Sequence, residues 1–386
     1  MQCDDLTALA AWTVCTEPGD EFAGALRATL GSTKSLELLM QKNASAISKA
    51  FELHGDADAV TNRFGDPELV ARDALERWWP RLRGSNVADA LKSVESGRFR
   101  LVGPNDSPWP HGLESLGWGA PAALWVAGNP ESLAETDRSV ALVGSRTATN
   151  YGQFVTQELV SGLAENHYAV VSGGAFGIDA LAHQSSLALD NTTIAIMAGG
   201  LDRIYPSSNR ELLEKIAERW ALVSEMPPGS SPTKWRFLQR NRLIAAMSSA
   251  TVVVEAGWRS GSINTANHAN TIGRAVGAVP GPITSPSSAG CHRLIRENKA
   301  NIVTCADDVR ELMGEGVGLF TSDEETLGPL EKRAIDALLR KWQPLELVAT
   351  QAGLTQGEAK IALTSLEIDG LAETSLLGWR RTGSNL

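Results

Sequence analysis

The sequence predicts an α/β protein with a Rossmann-like, doubly wound parallel sheet as its core, an N-terminal helical domain before it and a C-terminal winged helix after it. Three observations lead there. Between 139 and 303, six short apolar runs alternate with helical stretches. Runs that are apolar at every position, not every second one, are strands buried on both faces, the condition of a parallel sheet covered by helices. Nearly every run then ends in a loop of small residues, and in such sheets these loops share the carboxyl edge where ligands bind.

The elements follow in order. From Asp4 to about Val94, Leu26, Leu30, Leu36, Leu38, Leu39 and Ile47 recur at roughly helical spacing, and Ala71 to Trp79 reads as an amphipathic helix that Pro80 stops. This segment, 1–96, shows no chemistry and reads as a packing or partner domain. Residues 97–130, rich in Pro, Gly and Trp, read as an ordered lead-in with turns. The six expected strands are Ser139–Gly144, Ala169–Ser172, Thr193–Met197, Ala221–Ser224, Thr251–Glu255 and Ala275–Val279, in a core domain spanning 97–313. Residues 314–325 form a Gly- and acid-rich linker. In 326–386, helices at 330–339, 344–350 and 355–369 and a hairpin at 370–381 make the winged helix.

Composition narrows the function. The chain of 386 residues has 35 Lys+Arg against 45 Asp+Glu, a net charge of −10. That excludes a chain coating itself in nucleic acid through bulk charge. Screening beyond ~8 Å leaves a local basic site free to act. No apolar run approaches the ~20 residues of a membrane span, and Met1-Gln2-Cys3-Asp4-Asp5 lacks the basic start of a secretory signal, so the expectation is a cytoplasmic protein without membrane attachment. Cys3, Cys15, Cys291 and Cys305 form no C-x-x-C pair, and the six histidines no H-E-x-x-H, so no metal or cofactor site is expected.

A glycine loop between strand and helix offers unpaired amides and the positive end of a helix dipole to an anion. Ser172-Gly173-Gly174-Ala175-Phe176-Gly177 has this form, as do Gly144-Ser145-Arg146 and Arg259-Ser260-Gly261-Ser262. Glycines also serve tight turns alone. Three such loops on one sheet edge, with Arg146, Arg240, Arg242 and Arg259 nearby, favour a phosphate-bearing ligand. A P-loop is absent, the S-G-G-x-x-G loop departs from the dinucleotide fingerprint, and no G-x-S-x-G or serine triad is present. Asp179 and His183 lie four apart on one helix, either an acid/base pair or, more simply, a helix cap and a packed histidine. Arg240-Asn241-Arg242 follows the aromatics Trp235 and Phe237, a grouping that suits a single strand, with guanidinium on phosphate and base on ring. Ion pairs to Glu225 or Glu255 are the structural alternative.

Together these motifs resemble the DprA/Smf family. The resemblance rests on Val143-Gly144-Ser145-Arg146 with Tyr151-Gly152, on the Ser172 to Asp179 loop with Ala182-His183, and on Gly199-Gly200-Leu201-Asp202 with Tyr205-Pro206-Ser207-Ser208-Asn209. It continues through Ser224-Glu225, Arg240-Asn241-Arg242-Leu243-Ile244, Val254-Glu255-Ala256, Arg259 to Ser262 with Thr265-Ala266, and Val279-Pro280-Gly281. Upstream, 106–110 and 124–129 match the family's lead-in, and the tail resembles its winged helix. The resemblance implies a non-catalytic core that binds single-stranded DNA in a basic pocket, dimerises and hands the strand to the RecA recombinase during natural transformation. Carried over, the DNA contacts are Ser145 and Arg146, the backbone from Ser172 to Gly177, Arg240, Asn241 and Arg242, and Arg259, Ser260, Gly261 and Ser262. The family usually has Arg or Lys where this loop has Phe176, which offers a ring for stacking instead, worth ~1–3 kcal/mol.

Two other readings use the same sheet. A nucleotide-binding phosphoribohydrolase carries P-G-G-x-G-T-x-x-E; here the matching stretch is 261–265, with Thr265 where the glutamate should be, which removes the acid/base group. A nucleotide sensor without DNA is the other. In the tail, 326–386 holds seven Lys+Arg and seven Asp+Glu, and 355–369 carries Lys360 against Glu358, Glu367 and Asp369. A neutral unit of this kind is a poor major-groove reader, because phosphate contacts supply most of the affinity. It suits contact with protein or self-association. The isolated 326–386 fragment is therefore expected to leave duplex DNA unshifted in a mobility assay at about 0.15 M salt, and a shifted band refutes this.

Overall fold

The computed structural model describes residues 4–82, 86–315 and 327–382. Two compact units are present, 1–315 and 316–386. The first begins with helices α1 (Asp5–Cys15), α2 (Glu21–Leu30), α3 (Ser32–Met40), α4 (Ala44–His54), α5 (Ala57–Phe64), α6 (Pro67–Leu82) and α7 (Asn86–Glu95). Short polar side chains start several of them: Asp20 accepts the Ala23 amide at 3.1 Å and Asn43 the Ala46 amide at 3.1 Å, each satisfying an otherwise open N–H. Trp12 and Trp78 meet edge to face at 5.5 Å among Phe22, Leu26 and Phe51, all buried. Pro80 does not stop α6 as expected but lies inside it. In the last turn a proline forfeits one backbone bond, and Trp78, 1% exposed, anchors that turn in the core.

The sheet follows. Its strands are β1 (Arg100–Val102), β2 (Leu124–Gly128), β3 (Ser139–Val143), β4 (Ala169–Ser172), β5 (Thr193–Met197), β6 (Ala221–Ser224), β7 (Ala250–Val253), β8 (Ala275–Ala278) and β9 (Asn301–Ile302). Among the described residues they form one sheet in the order β1-β2-β6-β5-β4-β3-β7-β8-β9. From β6 to β9 along that order every pairing is parallel, whereas β1 and β2 run antiparallel at the β6 edge. All six sequence-expected strands are present, five of them within a residue, while β7 starts one residue and ends two residues earlier than expected. The antiparallel pair lies inside the stretch expected to hold only turns, where proline and glycine flank runs of three and five residues.

The helices α8 (Asn150–Glu165), α9 (Ile178–Ala188), α10 (Arg210–Arg219), α11 (Lys234–Ala246), α12 (Ser262–Thr271), α13 (Ala289–Arg296) and α14 (Ala306–Leu312) complete the unit. Side chains alternate across a strand: Val140 and Leu142 of β3 pack with Leu159, Val160 and Leu163 of α8, while Ala141 and Val143 pack with Leu243 of α11 and Ala266 of α12. Both faces of β3 are thus buried, as its unbroken apolar run requires. Strand order reverses between β3 and β7. Loops diverge there at the carboxyl edge and leave a crevice.

The helical segment is not a separate body, and the expected boundary between 96 and 97 lies within the first unit. Trp125 of β2, fully buried, donates its indole N–H to Thr13 of α1 at 3.2 Å. Glu17, after α1, accepts Arg81 of α6 at 2.6 Å and Arg236 of α11 at 2.7 Å. The second unit holds α15 (Pro329–Ala337), α16 (Leu345–Ala352), α17 (Gln356–Ile368) and the antiparallel pair β10 (Ala372–Ser375) and β11 (Gly378–Arg381), close to the expected helices and hairpin. Thr355 and Glu358 form a capping box at the start of α17. Of the expected linker 314–325, residues 316–325 lie outside the described residues. Among the described residues no helix is long and apolar enough to cross a membrane.

Trp125→Ala is expected to cost ~3–5 kcal/mol. Because one core joins the helices to the sheet, urea unfolding followed by helical circular dichroism and by fluorescence should shift together to a lower midpoint, and separated transitions would contradict the shared core.

Candidate functional site

The crevice where the strand order reverses is an open cavity of about 470 Å³. Its walls are the loop after β3 (Val143 to Thr147), Ala175 and Asp179 from the loop and helix after β4, one face of α11, and the loop after β7 with the start of α12. Seven sequence-predicted residues line it: Ser145, Arg146, Arg240, Asn241, Ser260, Gly261 and Ser262.

Each is placed for a reason. The Ser145 hydroxyl donates to Thr147 O at 3.0 Å and accepts the Thr147 amide at 3.1 Å, which tightens the turn and leaves Arg146 exposed. Its guanidinium carbon stands 5.8 Å from the centre of the Phe237 ring, within cation–π range. Behind this turn, Glu255 accepts the Thr149 amide at 3.0 Å and the Thr149 hydroxyl at 2.5 Å. Thr149 is also the N-cap of α8, so one buried carboxylate fixes the loop and the helix together. Asn241 donates to Asn264 Oδ1 at 3.1 Å and joins α11 to α12. The first turn of α12 is closed locally: the Ser262 amide donates to Ser260 Oγ at 3.4 Å, Ile263 N to Ser260 O at 3.3 Å and Asn264 N to Gly261 O at 3.0 Å.

Arg240 is 7% exposed. One terminal nitrogen, Nη1, donates at 2.5 Å to Gly173 O and at 2.5 Å to Ile196 O. A Cβ on Gly173 would lie 2.2 Å from that nitrogen, so only glycine lets the guanidinium in. Burial pulls the Arg240 pKa down to about 10, against the attraction of Asp179. Arg240 therefore braces the cavity floor through carbonyls, while Glu225 pairs with Arg242 instead.

The Ser172 to Gly177 loop departs from the simple cradle. Ser172 is buried and donates to Leu142 O at 2.6 Å. The amides of Ala175 and Gly173 hydrogen-bond the Asp179 carboxylate, whose pKa burial raises while Arg240 and those amides lower it. The loop's donors thus hold an internal anion. Asp179 is not the helix cap expected from sequence: Gly177 occupies that position, with φ 73° and no room for a Cβ beside Ser145 O, at 2.1 Å. Gly174 O and Ala175 O accept Asn209 at 3.0 and 3.1 Å. Phe176 is 45% exposed and does not line the cavity.

Two predicted arginines stand apart from the cavity wall. Arg242, 5% exposed, pairs with Glu225 at 2.8 Å, the structural alternative the sequence left open. Arg259 is exposed at the rim. Conversely, sequence reasoning offered Phe237 as a stacking ring but missed its meeting with Tyr205, ring centres 5.5 Å apart with Tyr205 half exposed. Exposed aromatics on different elements carry no local signal for their meeting. Among the described residues no three His, Cys, Asp or Glu side chains gather as a metal site would need.

Comparison with known proteins places this geometry. The family described as DNA recombination-mediator protein A matches residues 100–314. A DprA-designated protein of Mycobacterium tuberculosis is 42% identical over 330 residues, covering 81% of this chain and 84% of its own. The crystal structure of DNA processing protein A from Streptococcus pneumoniae aligns with TM-score 0.57 and 32% identity over 72% of this chain and 96% of that one. The DNA processing protein A of Helicobacter pylori, described for its single-stranded DNA binding mode, aligns with TM-score 0.50 and 27% identity over 56% of this chain and 96% of that one.

His183 is fully buried and meets Thr193 Oγ1 through Nδ1 at 2.7 Å. Since Thr193 donates its hydroxyl to Val170 O at 3.1 Å, Nδ1 carries the imidazole proton and Nε2 is bare. Burial, then the Arg240 charge, push its pKa down to about 3. It forms no acid/base pair with Asp179 at the cavity. Between pH 6.5 and 3 the unfolded chain binds a proton that the folded one refuses, so stability falls with pH by roughly one kcal/mol per unit. His183→Gln should flatten the urea-midpoint profile in that window; an unchanged slope would refute the assignment.

Proposed function

This chain belongs to the DNA recombination-mediator protein A family, and we propose that the cavity at the β3/β7 reversal binds single-stranded DNA and that the chain is a mediator without catalytic chemistry of its own. The observation that carries the reading is the exposed Arg146 over the Phe237 ring at the cavity mouth. A guanidinium meets phosphate, and a ring beside it meets a base; a single strand presents both together, whereas a duplex hides its base faces in the stack. The hydroxyls of Ser260 and Ser262, 2.8 Å apart, add neutral polar groups to the wall. Arg240 and Asn241 shape the floor, and the Ser172 to Gly177 loop, its amides turned to Asp179, supports Arg146 from below.

The wider role in this proposal is that of a cytoplasmic homodimer that protects incoming single strands and loads RecA in natural transformation. The tail, 326–386, is its winged-helix docking unit, next to the linker 314–325. Against the phosphoribohydrolase alternative stands Thr265, which lines the cavity where a carboxylate would be needed and is 2% exposed. No acid/base group replaces it, since Asp179 is engaged by loop amides.

A salt titration of oligo(dT) binding tests the site. The logarithm of affinity should fall against the logarithm of salt by ~0.7 per phosphate neutralised. Arg146→Ala should weaken binding and make the slope shallower by about one such increment, and Phe237→Ala should weaken binding with the slope kept. Salt-insensitive binding, or no loss in Arg146→Ala, would overturn the assignment.

A further inference from the structure

We propose that Trp258, steadied by Arg293, is a second station on the same strand's path: a platform on which a base stacks as the strand leaves the cavity. The inference rests on the single-strand reading above and extends it to a residue outside the cavity. Gly257 and Ser260 line the cavity, while Trp258 and Arg259 between them do not. Both are exposed, the indole by 52%. A strand passing over Ser260 therefore meets an indole and a guanidinium side by side, the same pairing that Phe237 and Arg146 make at the mouth.

The platform is held firmly. Ser260 donates its amide to Gly257 O at 3.0 Å and closes the turn. The base of the turn is tied to the segment before α13 and to its first residues: Ala256 N to Ser287 O at 2.8 Å, and Gly290 N to Ala256 O at 2.7 Å. From α13, Arg293 donates to Trp258 O at 3.2 Å and sets its guanidinium carbon 4.9 Å from the indole centre. An indole oriented before the ligand arrives loses little freedom on stacking. This chain buries Trp12, Trp78 and Trp125 nearly or wholly and leaves Trp235 and Trp258 exposed by 55% and 52%. At 258 it leaves half of one in water between two arginines, an environment that suits an anionic polymer with flat bases better than an apolar protein face.

The test uses the full chain and an oligo(dT) ladder from a few to about twenty nucleotides, with an abasic strand of the longest length as control. Trp258→Ala should bind the shortest oligonucleotides as the wild type does and lose about 5- to 100-fold on the longest. Its salt slope should be unchanged, because the ring touches no phosphate. Trp258→Phe should recover much of the loss, and the difference between wild type and Trp258→Ala should vanish on the abasic strand. Equal affinity for the longest oligo(dT) overturns the inference while leaving the cavity reading intact. So does a uniform loss at every length with a fall in oligomeric mass by light scattering, which would make Trp258 an interface between copies. Failure of the wild type to bind any oligo(dT) removes the cavity reading and this inference with it.

Discussion

Arg240 is the residue on which the cavity depends. Its guanidinium bonds carbonyls at the ends of β4 and β5, Gly173 O and Ile196 O, from a position on α11, and so fastens two strands' carboxyl ends to the helix that forms the cavity wall. Burying a cation is costly unless it is hydrogen-bonded and opposed by charge. The two carbonyls supply the first condition and Asp179 the second. Asp179 in turn needs the amides of the glycine loop. Cation, carboxylate and loop form one chain of satisfied groups, and each requires the others.

That chain explains how the loop works. A glycine loop is usually read as a cradle whose amides wait for a ligand. Here the carboxylate of Asp179 already fills that role, and the loop becomes a rigid ledge: Ile178 donates its amide to Ser145 O at 3.1 Å. The turn carrying Arg146 rests on this ledge and is held from behind by Glu255 through Thr149. Two buried carboxylates thus position one exposed arginine. The N-terminal helices contribute at longer range, since Glu17 grips Arg236 on α11 and orients the helix that bears Phe237.

Much of this was legible in the sequence, and what was not has physical causes. The six parallel strands are visible because burial on both faces leaves an unbroken apolar run, as in Val140 to Val143. The β1–β2 pair is not, because edge strands of three and five residues among prolines and tryptophans carry neither alternation nor length. Ser145, Arg146 and Ser260 to Ser262 could be found because glycine-rich turns after strands converge on one sheet edge. The fate of the other arginines could not. Arg240 and Arg242 are two apart on one helix and chemically identical, yet one faces the loop carbonyls and the other Glu225. Only the direction of each side chain from α11 separates them. The Asp179 contact was misjudged for a related reason, since a carboxylate in a first helical turn serves a cap or a neighbouring loop with equal ease.

The net charge of −10 takes its meaning from this arrangement. Of the arginines near the glycine loops, Arg240 is spent on carbonyls and Arg242 on a carboxylate, which leaves Arg146 and Arg259 exposed. Two surface cations on an acidic body cannot hold a polyanion by charge alone, since each phosphate contact is weakened by salt. In the proposed function flat contacts supply the remainder, from Phe237 and Tyr205 at the mouth, Phe176 on the neighbouring loop and Trp258 beyond the rim. Stacking needs unpaired bases. A duplex offers the body only phosphate, which its acidic surface repels, while a single strand offers phosphate to two arginines and rings to four aromatics. On the proposed reading, selectivity for single strands follows from having few cations, and the acidic balance that first argued against nucleic acid becomes part of how the chain would choose among its forms.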